Sequence, residues 1–211
     1  MFWTKPYDRG TAIATADKAR SRGRVRKAVR WYRKVLEHDD ADLPVHARLA
    51  PLLARLGRWD ESRKSFDKAA AGFLAAGFAP KAIAVWTVAA QTFPEQVEYW
   101  ERIANQQVML GKRADAILAL LQGRSMLTKK RQRPLAALLL RQALELQPGH
   151  IEASLDLADL LRRDGIRDEA KRLLNSLLIR VGKGRMRRRI RYAQLKLEPS
   201  LRGALNWAFA R

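Results

Sequence analysis

The sequence predicts an all-α fold, a right-handed solenoid of stacked helices. Three observations carry that prediction. Gly57, Gly111 and Gly165 are equally spaced in the chain, at a step of about 54 residues, and a fixed period of a few tens of residues marks stacked helical units. Gly23 precedes this series, while Gly77 and Arg131 each fall between two of its members, so the punctuation runs 34, 20, 34, 20, 34 from Gly23 to Gly165. Between these points apolar residues return at three- and four-residue steps, and no stretch alternates with period two for long enough to argue a strand.

Eleven helices follow in order. The first, 11–22, stops at Gly23. The second, 25–37, carries Val25, Ala28, Val29, Tyr32, Val35 and Leu36 on one face. The segment 37–42, rich in acids, is a polar turn before helices 43–56 and 60–76. Helix 79–92 has the stripe Ala82, Ile83, Trp86, Ala89 and Ala90, and Pro94 ends it because proline cannot continue a helix. Helices 95–110 and 114–128 come next. Helix 133–146 buries Ala136, Leu140, Ala143 and Leu144 and stops before Pro148; 150–164 and 167–181 follow. The last, 185–197, presents Met186, Ile190, Ala193 and Leu197 inward, which leaves its arginines projecting outward. A short amphipathic tail has Leu201, Leu205 and Phe209 on one side. The expected organisation is an N-terminal arm at 1–10, one solenoid domain at 11–199, and a C-terminal amphipathic cap at 200–211.

Within these elements one pattern recurs. In 95–128, Trp100 takes a large aromatic position, Ile103 and Ala104 the next packed pair, Gly111 the turn, and Ala116, Ile117 and Leu120 the second helix. The stretch 43–76 matches it through Leu49, Ala50, Gly57, Trp59 and Phe66. The stretch 9–42 matches through Ala16, Gly23, Ala28, Tyr32 and Leu36, and 151–181 through Leu157, Ala158, Gly165 and Ala170. In this pattern the residues resemble the tetratricopeptide repeat family. A simple array of the family repeats about every 34 residues. Here a shorter step is interposed, so each longer unit holds three helices, and the second helix of one repeat also serves as the first of the next. Ala28, Ala82, Ala116 and Ala136 mark close helix approaches, where a larger side chain overpacks. The resemblance implies a binding scaffold whose concave face holds a peptide or a partner's helix. The family's positions for that face include Arg48, Arg55, Arg102, Asn105 and Met109, with Asp156, Asp159 and Arg163 in the last unit. Only Arg102 and Asn105 match the family's clamp for a carboxyl terminus, so that specificity is not assigned.

Composition narrows the function. The 211 residues include 42 Lys and Arg against 21 Asp and Glu, a formal charge of +21. Such a balance favours anionic partners: acidic protein, nucleic acid or anionic lipid. Cysteine is absent, which excludes a disulfide framework and thiolate metal sites. His38, His46 and His150 form no spaced ligand set. The Gly182–Arg185 segment lacks the spacing of a phosphate loop, and no serine stands in a nucleophile motif. No enzyme, no metal, no cofactor and no small-molecule substrate are expected, in a cytoplasmic setting.

The charge is patched. Nine basic residues and no acid lie between Asp17 and Glu37, among them Arg22, Arg24, Arg26 and Arg30. Six lie between Asp115 and Glu145, including Lys129, Lys130, Arg131 and Arg133. Ten lie between Glu169 and Glu198, including Arg187, Arg188 and Arg189. Residues 57–110 balance six basic against six acidic side chains. Helices in a solenoid run alternately up and down, so the turns near 23, 57, 94, 131, 165 and 199 should share a predominantly basic edge, the exception being the turn at 94, flanked by Glu95 and Glu98; the other edge should run from acidic at the N-terminal end to basic at the C-terminal end. Among the aromatics, Trp59, Trp86 and Trp100 fall on core positions. Trp3, Trp31 and Trp207 fall off the stripes, and Trp31 either stacks on a base or packs against a neighbouring helix. The leading expectation is a protein–protein scaffold for an acidic partner. Sequence-tolerant binding of RNA or DNA through the basic patches stands second, because no established nucleic-acid motif accompanies them. Docking on anionic membrane, with Met1, Phe2 and Trp3 inserted shallowly, stands third.

Overall fold

The structure is a computed structural model that describes residues 7–209, apart from the side chain of Arg202. The expected insertion of Met1, Phe2 and Trp3 lies outside the described residues. All regular structure among the described residues is helical, as the periodicity requires. The chain divides into two compact units, Met1–Phe93 and Pro94–Arg211. The first contains α1 (Arg9–Ser21), α2 (Val25–His38), α3 (Leu43–Arg55), α4 (Trp59–Ala75) and α5 (Ala79–Thr92). The second contains α6 (Glu98–Met109), α7 (Arg113–Met126), a 3-10 turn (Lys130–Gln132), α8 (Arg133–Leu146), α9 (Ile151–Arg163), α10 (Arg167–Arg180), α11 (Arg185–Leu197) and α12 (Leu201–Ala208). The expected tail is therefore a twelfth helix.

The recurrent glycines end helices by one mechanism. Gly23, Gly57, Gly77, Gly111 and Gly165 all take φ between 68° and 80°, a region open to glycine without steric cost. After each, the next N–H reaches back to a carbonyl in the last turn of the helix: Arg24 to Ala19, Arg58 to Leu53, Phe78 to Phe73, Lys112 to Gln107 and Ile166 to Leu161, all within 2.8–3.0 Å. This closes the helix by capping its last free carbonyls. Arg131 stands where glycine would continue the series, and the chain takes a different route there. Leu127 is buried and a 3-10 turn replaces the left-handed glycine. Helix starts are capped by side chains: Asp8 accepts the Thr11 N–H at 2.7 Å, Asp42 the Val45 N–H at 3.2 Å, and His150 Nδ1 the Ala153 N–H at 3.2 Å.

Each unit stacks its helices in two layers. In the first, α1 and α3 lie side by side, joined by Arg48–Asp17 at 3.1 Å and Arg9–Asp42 at 2.7 Å, and α3 packs on α5. Across from them α2 and α4 are joined by Arg33–Glu61 at 2.6 Å. In the second unit α6 and α8 share one layer through Gln142–Glu101 at 2.6 Å, and α8 and α10 through Arg141–Glu169 at 2.9 Å. The other layer holds α7, α9 and α11, joined by Arg124–Asp156 at 2.8 Å and Arg189–Glu152 at 2.5 Å.

The cores match the small-residue reading. Ala28, Ala82, Ala116 and Ala136 are fully buried, alongside Tyr32, Val35, Val45, Leu53 and Phe66 in the first unit and Trp100, Leu120, Leu140 and Leu174 in the second. Trp86 and Trp100 are core residues as expected. Trp59 is not: it is 53% exposed. It occupies the first position of α4, where a side chain tilts back over the helix start rather than into the stack. Its ring meets the edge of Phe93 at 6.0 Å instead. Trp31 is half-buried against the α1–α3 core, with Lys34 over its ring at 5.4 Å. The α11 stripe is narrower than predicted. Ile190 and Leu197 are buried, Ala193 is half-buried, and Met186 is exposed.

Candidate basic interaction surfaces

The first basic patch folds into a groove between α2 and the start of α4. Arg26, Arg30, Arg33 and Glu37 succeed one another at steps of four, three and four, so one face of α2 presents them all. Leu56 and Arg58, from the α3–α4 turn, form the opposite wall, and Val29 lines the same groove. The turns at 23 and 57 thus share an edge. Glu61 organises the site. Its Oε2 accepts Arg33 Nη2 at 2.6 Å, and its Oε1 accepts Arg58 Nη2 at 2.5 Å. Two guanidinium groups are therefore held in place by one carboxylate. Arg26 and Arg30 have no carboxylate partner among the described residues, and both are exposed, as are Arg22 and Arg24. The arrangement offers two pre-oriented and two free guanidinium groups to an anion.

The second patch is largely spent internally. Arg131 binds Glu95 at 3.0 Å, and Gln132 Nε2 donates to the same carboxylate at 2.7 Å. The hydrogen bonds from Gln132 and Arg131, with the cationic charge, hold the Glu95 carboxyl below its ordinary range. Arg133 pairs with Asp164 at 2.9 Å. Arg162 and Arg163 both pair with Asp159, at 2.8 Å and 2.7 Å. The turns near 95, 131 and 165 share an edge in the second unit, as the alternation predicts, but acids interleave the bases there. Lys129 and Lys130 stay exposed and form no salt bridge among the described residues, although the charge of Lys129 also acts on Glu95.

The third patch departs from expectation. Its arginines do not all project outward. Arg187 turns in, and its Nη1 donates to the carbonyls of Leu178 at 3.4 Å and Val181 at 3.0 Å. A cation at the C-terminal end of α10 satisfies free carbonyls and complements the helix dipole. Arg189 grips Glu152 with two nitrogens, at 2.5 Å and 2.9 Å. That bond lowers the carboxyl pKa and raises that of the guanidinium. Arg188 lies over the Trp207 ring at 4.9 Å, and Tyr192 meets the same ring at 5.7 Å. The reason is geometric: a run of four residues such as 186–189 covers the whole circumference of a helix, so some of its arginines must face neighbours.

The positions taken from the family's concave face divide. Arg48 is engaged by Asp17, whose other oxygen accepts the Tyr32 hydroxyl at 2.5 Å. Arg55 is exposed. Arg102 lies over the Tyr99 ring at 5.7 Å, Asn105 is exposed, and Met109 is 79% exposed. Within the second unit α6 and α9 belong to opposite layers, so Arg102, Asn105 and Met109 do not join Asp156, Asp159 and Arg163 in one strip. Charge runs alone do not reveal that Glu61 and Glu152 organise the arginines around them. The one sequence signal is that Glu61 stands three residues after Arg58, a spacing at which helical side chains meet.

Of the three histidines, His38 stacks on Tyr7 with ring centroids 3.7 Å apart, and buried His46 meets the Asp40 carbonyl at 3.0 Å. Among the described residues no helix is long and apolar enough to cross a membrane.

Residues 127–196 match the model of the Tetratricopeptide repeat family. No curated protein matches the chain in sequence. Solved structures with similarity include the kinesin light chain TPR-like repeats of Podosopora anserina (16% identity, 90% of this chain and 97% of that one, TM-score 0.46). Others are the MamA protein (17% identity, 92% and 97%, TM-score 0.37) and YrrB, a TPR protein with an unusual peptide-binding site (14% identity, 94% and 91%, TM-score 0.35).

Proposed function

We propose that this chain, a tetratricopeptide repeat protein, is a non-catalytic scaffold that holds an acidic protein partner, and that the α2–α4 groove receives an acidic segment of it. Stacked helical repeats are generally protein-interaction modules and present extended binding surfaces. The observation that carries the reading is the groove's charge state. Glu61 fixes Arg33 and Arg58, while Arg26 and Arg30 keep no internal partner among the described residues. Fixed guanidinium forks favour carboxylates, because the geometry is bidentate and less rotamer freedom is lost per bond. Leu56 and Val29 give the groove an apolar floor for the side chains between the acids. The exposed positions Arg55, Asn105 and Met109 are the remaining contact candidates, and Arg22, Arg24, Lys129 and Lys130 extend the attraction without pockets.

The test uses a fluorescein-labelled acidic peptide with alternating glutamate and leucine, read by anisotropy. Arg26→Ala with Arg30→Ala is expected to weaken binding roughly tenfold, the equivalent of about 1.4 kcal/mol, with the melting temperature unchanged. Lys129→Ala with Lys130→Ala should change it little. Equal affinities for parent and groove variant would refute the assignment. If RNA binds instead through about five phosphates, log affinity falls with log salt at a slope near −4 to −5, and the patches are then nucleic-acid sites.

A further inference from the structure

We infer that the α2–α4 groove selects for charge order as well as charge: the acidic segment it receives carries a cationic residue a few positions beyond its acids, and Glu37 accepts that cation. The inference rests on the acidic-partner reading and adds a register to it.

The geometry of the stripe sets the register. Arg26, Arg30, Arg33 and Glu37 line one side of the groove. At a rise of about 1.5 Å per residue, Glu37 lies about 16.5 Å along the helix from Arg26 and about 10.5 Å from Arg30. Glu61 ties Arg33 to Arg58, so the opposite wall sets its arginine beside Arg33, in the middle of the stripe. The groove therefore runs from two unpartnered guanidinium groups, past two fixed ones, to a carboxylate.

That carboxylate is not explained by its own helix. Glu37 lies in the last turn of α2, where the negative end of the helix dipole opposes an anion. It is exposed and makes no ion pair or hydrogen bond among the described residues. Lys34, one turn earlier, lies instead over the Trp31 ring at 5.4 Å. The aspartates that follow are all engaged. Asp39 accepts the Ala41 N–H at 3.0 Å, Asp40 is bound by Lys68, and Asp42 by Arg9 at 2.7 Å. Glu37 thus breaks a local rule without a compensating contact, which is the mark of a residue kept for a site.

An extended segment advances about 3.3 Å per residue. Acids two residues apart then meet Arg26 and Arg30, and a cation about five residues beyond the first acid meets Glu37. A purely acidic segment would instead set a carboxylate against Glu37, and this repulsion discriminates against it.

The experiment is calorimetric titration of the full chain with blocked peptides of alternating glutamate and leucine that end in lysine, glutamine or glutamate. The variable residue is placed at either end in separate peptides, so that both chain directions are sampled. In one direction the parent should bind the lysine form about three- to fivefold more tightly than the glutamine form, as an exposed ion pair allows, despite that form's lower net acidity. Glu37→Gln should abolish the preference, and Glu37→Lys should reverse it in favour of glutamate. Both variants should melt at or slightly above the parent, because each removes an anion from a helix C-terminus. Peptides that bind through Arg26 and Arg30 but show the same order of affinities in parent and Glu37→Gln would overturn the register and leave the acidic-partner reading standing. A parent that binds none of them, or binding indifferent to Arg26→Ala with Arg30→Ala, would overturn that reading and this inference together.

Discussion

Replacing Gly123 by alanine tests the packing argument most directly, because two effects of opposite sign meet at one methyl group. Gly123 lies inside α7 and is buried. On helix propensity alone, alanine should stabilise the helix interior by about 1 kcal/mol. Yet an added Cβ would stand 2.6 Å from Cγ and 2.7 Å from Cδ1 of Trp100, whose side chain is 1% exposed. Carbon atoms settle at about 3.5–4.0 Å, so the indole or the helix must retreat by about 1 Å. The indole is rigid and enclosed, which puts the overpacking cost near the upper part of the usual range, about 3 kcal/mol. The net expectation is a loss of about 2 kcal/mol, or roughly 4–8 °C in Tm for a chain of this length. Urea unfolding and a thermal melt would measure it. Trp100→Leu in the same background removes the colliding ring, so the double variant should lose less than the sum of the single ones. A Gly123→Ala protein that melts at or above the parent would refute the close α6–α7 approach.

Two other expectations follow from the cores. Ala116→Phe should destabilise by about 1–3 kcal/mol, since Ala116 is fully buried, while exposed Ala71→Gln should cost little; thermal melts of the pair check this. Burial pushes the Tyr32 phenol from 10.0 up to about 12, aided by the hydrogen bond to Asp17 and its negative charge. Its contribution is complete below pH 10, and between 10 and about 12 the unfolded phenol ionises first, so stability falls as pH rises through that window. Tyr32→Phe should flatten that part of the urea-midpoint profile.

Much of the fold is legible in the sequence because its punctuation is local chemistry. Five glycines must sit at positive φ to close their helices, and glycine at a fixed spacing is visible without any tertiary knowledge. The exceptions also have local causes. Trp59 matches a repeat position and so reads as core, but the first turn of a helix points its side chains back past the stack. The basic sites are legible only as charge. Which arginines are consumed depends on single acids brought from 28 to 37 residues away, as Glu61 and Glu152 are. Sequence spacing at that range carries no contact information, so Arg30 and Arg33 look alike until the carboxylate beside one of them is located. Gly123 is hidden for the same reason, since a glycine within a helical pattern reads as a weak helix former until the ring it faces is known.

The three-helix period that the glycine spacing predicts implies a consequence for recognition that a plain repeat lacks. With two helices per repeat, every first helix falls in the same layer, and the side chains at one repeat position form a continuous strip. Three helices per unit make the parity alternate: what is a first helix by sequence lies in one layer, and its equivalent one unit later lies in the other. Glu101 of α6 bonds Gln142 of α8, and Asp156 of α9 bonds Arg124 of α7, so the two sequence-equivalent helices α6 and α9 face opposite sides. A concave-face motif transferred position by position therefore splits between two surfaces. Specificity in such a chain has to be assembled from sequence-inequivalent helices that share a layer, as Arg26, Arg30 and Arg33 of α2 are joined by Arg58 at the foot of α4. A partner segment recognised this way need carry no repeat of its own, because the groove it meets is built from helices that are not equivalent in sequence.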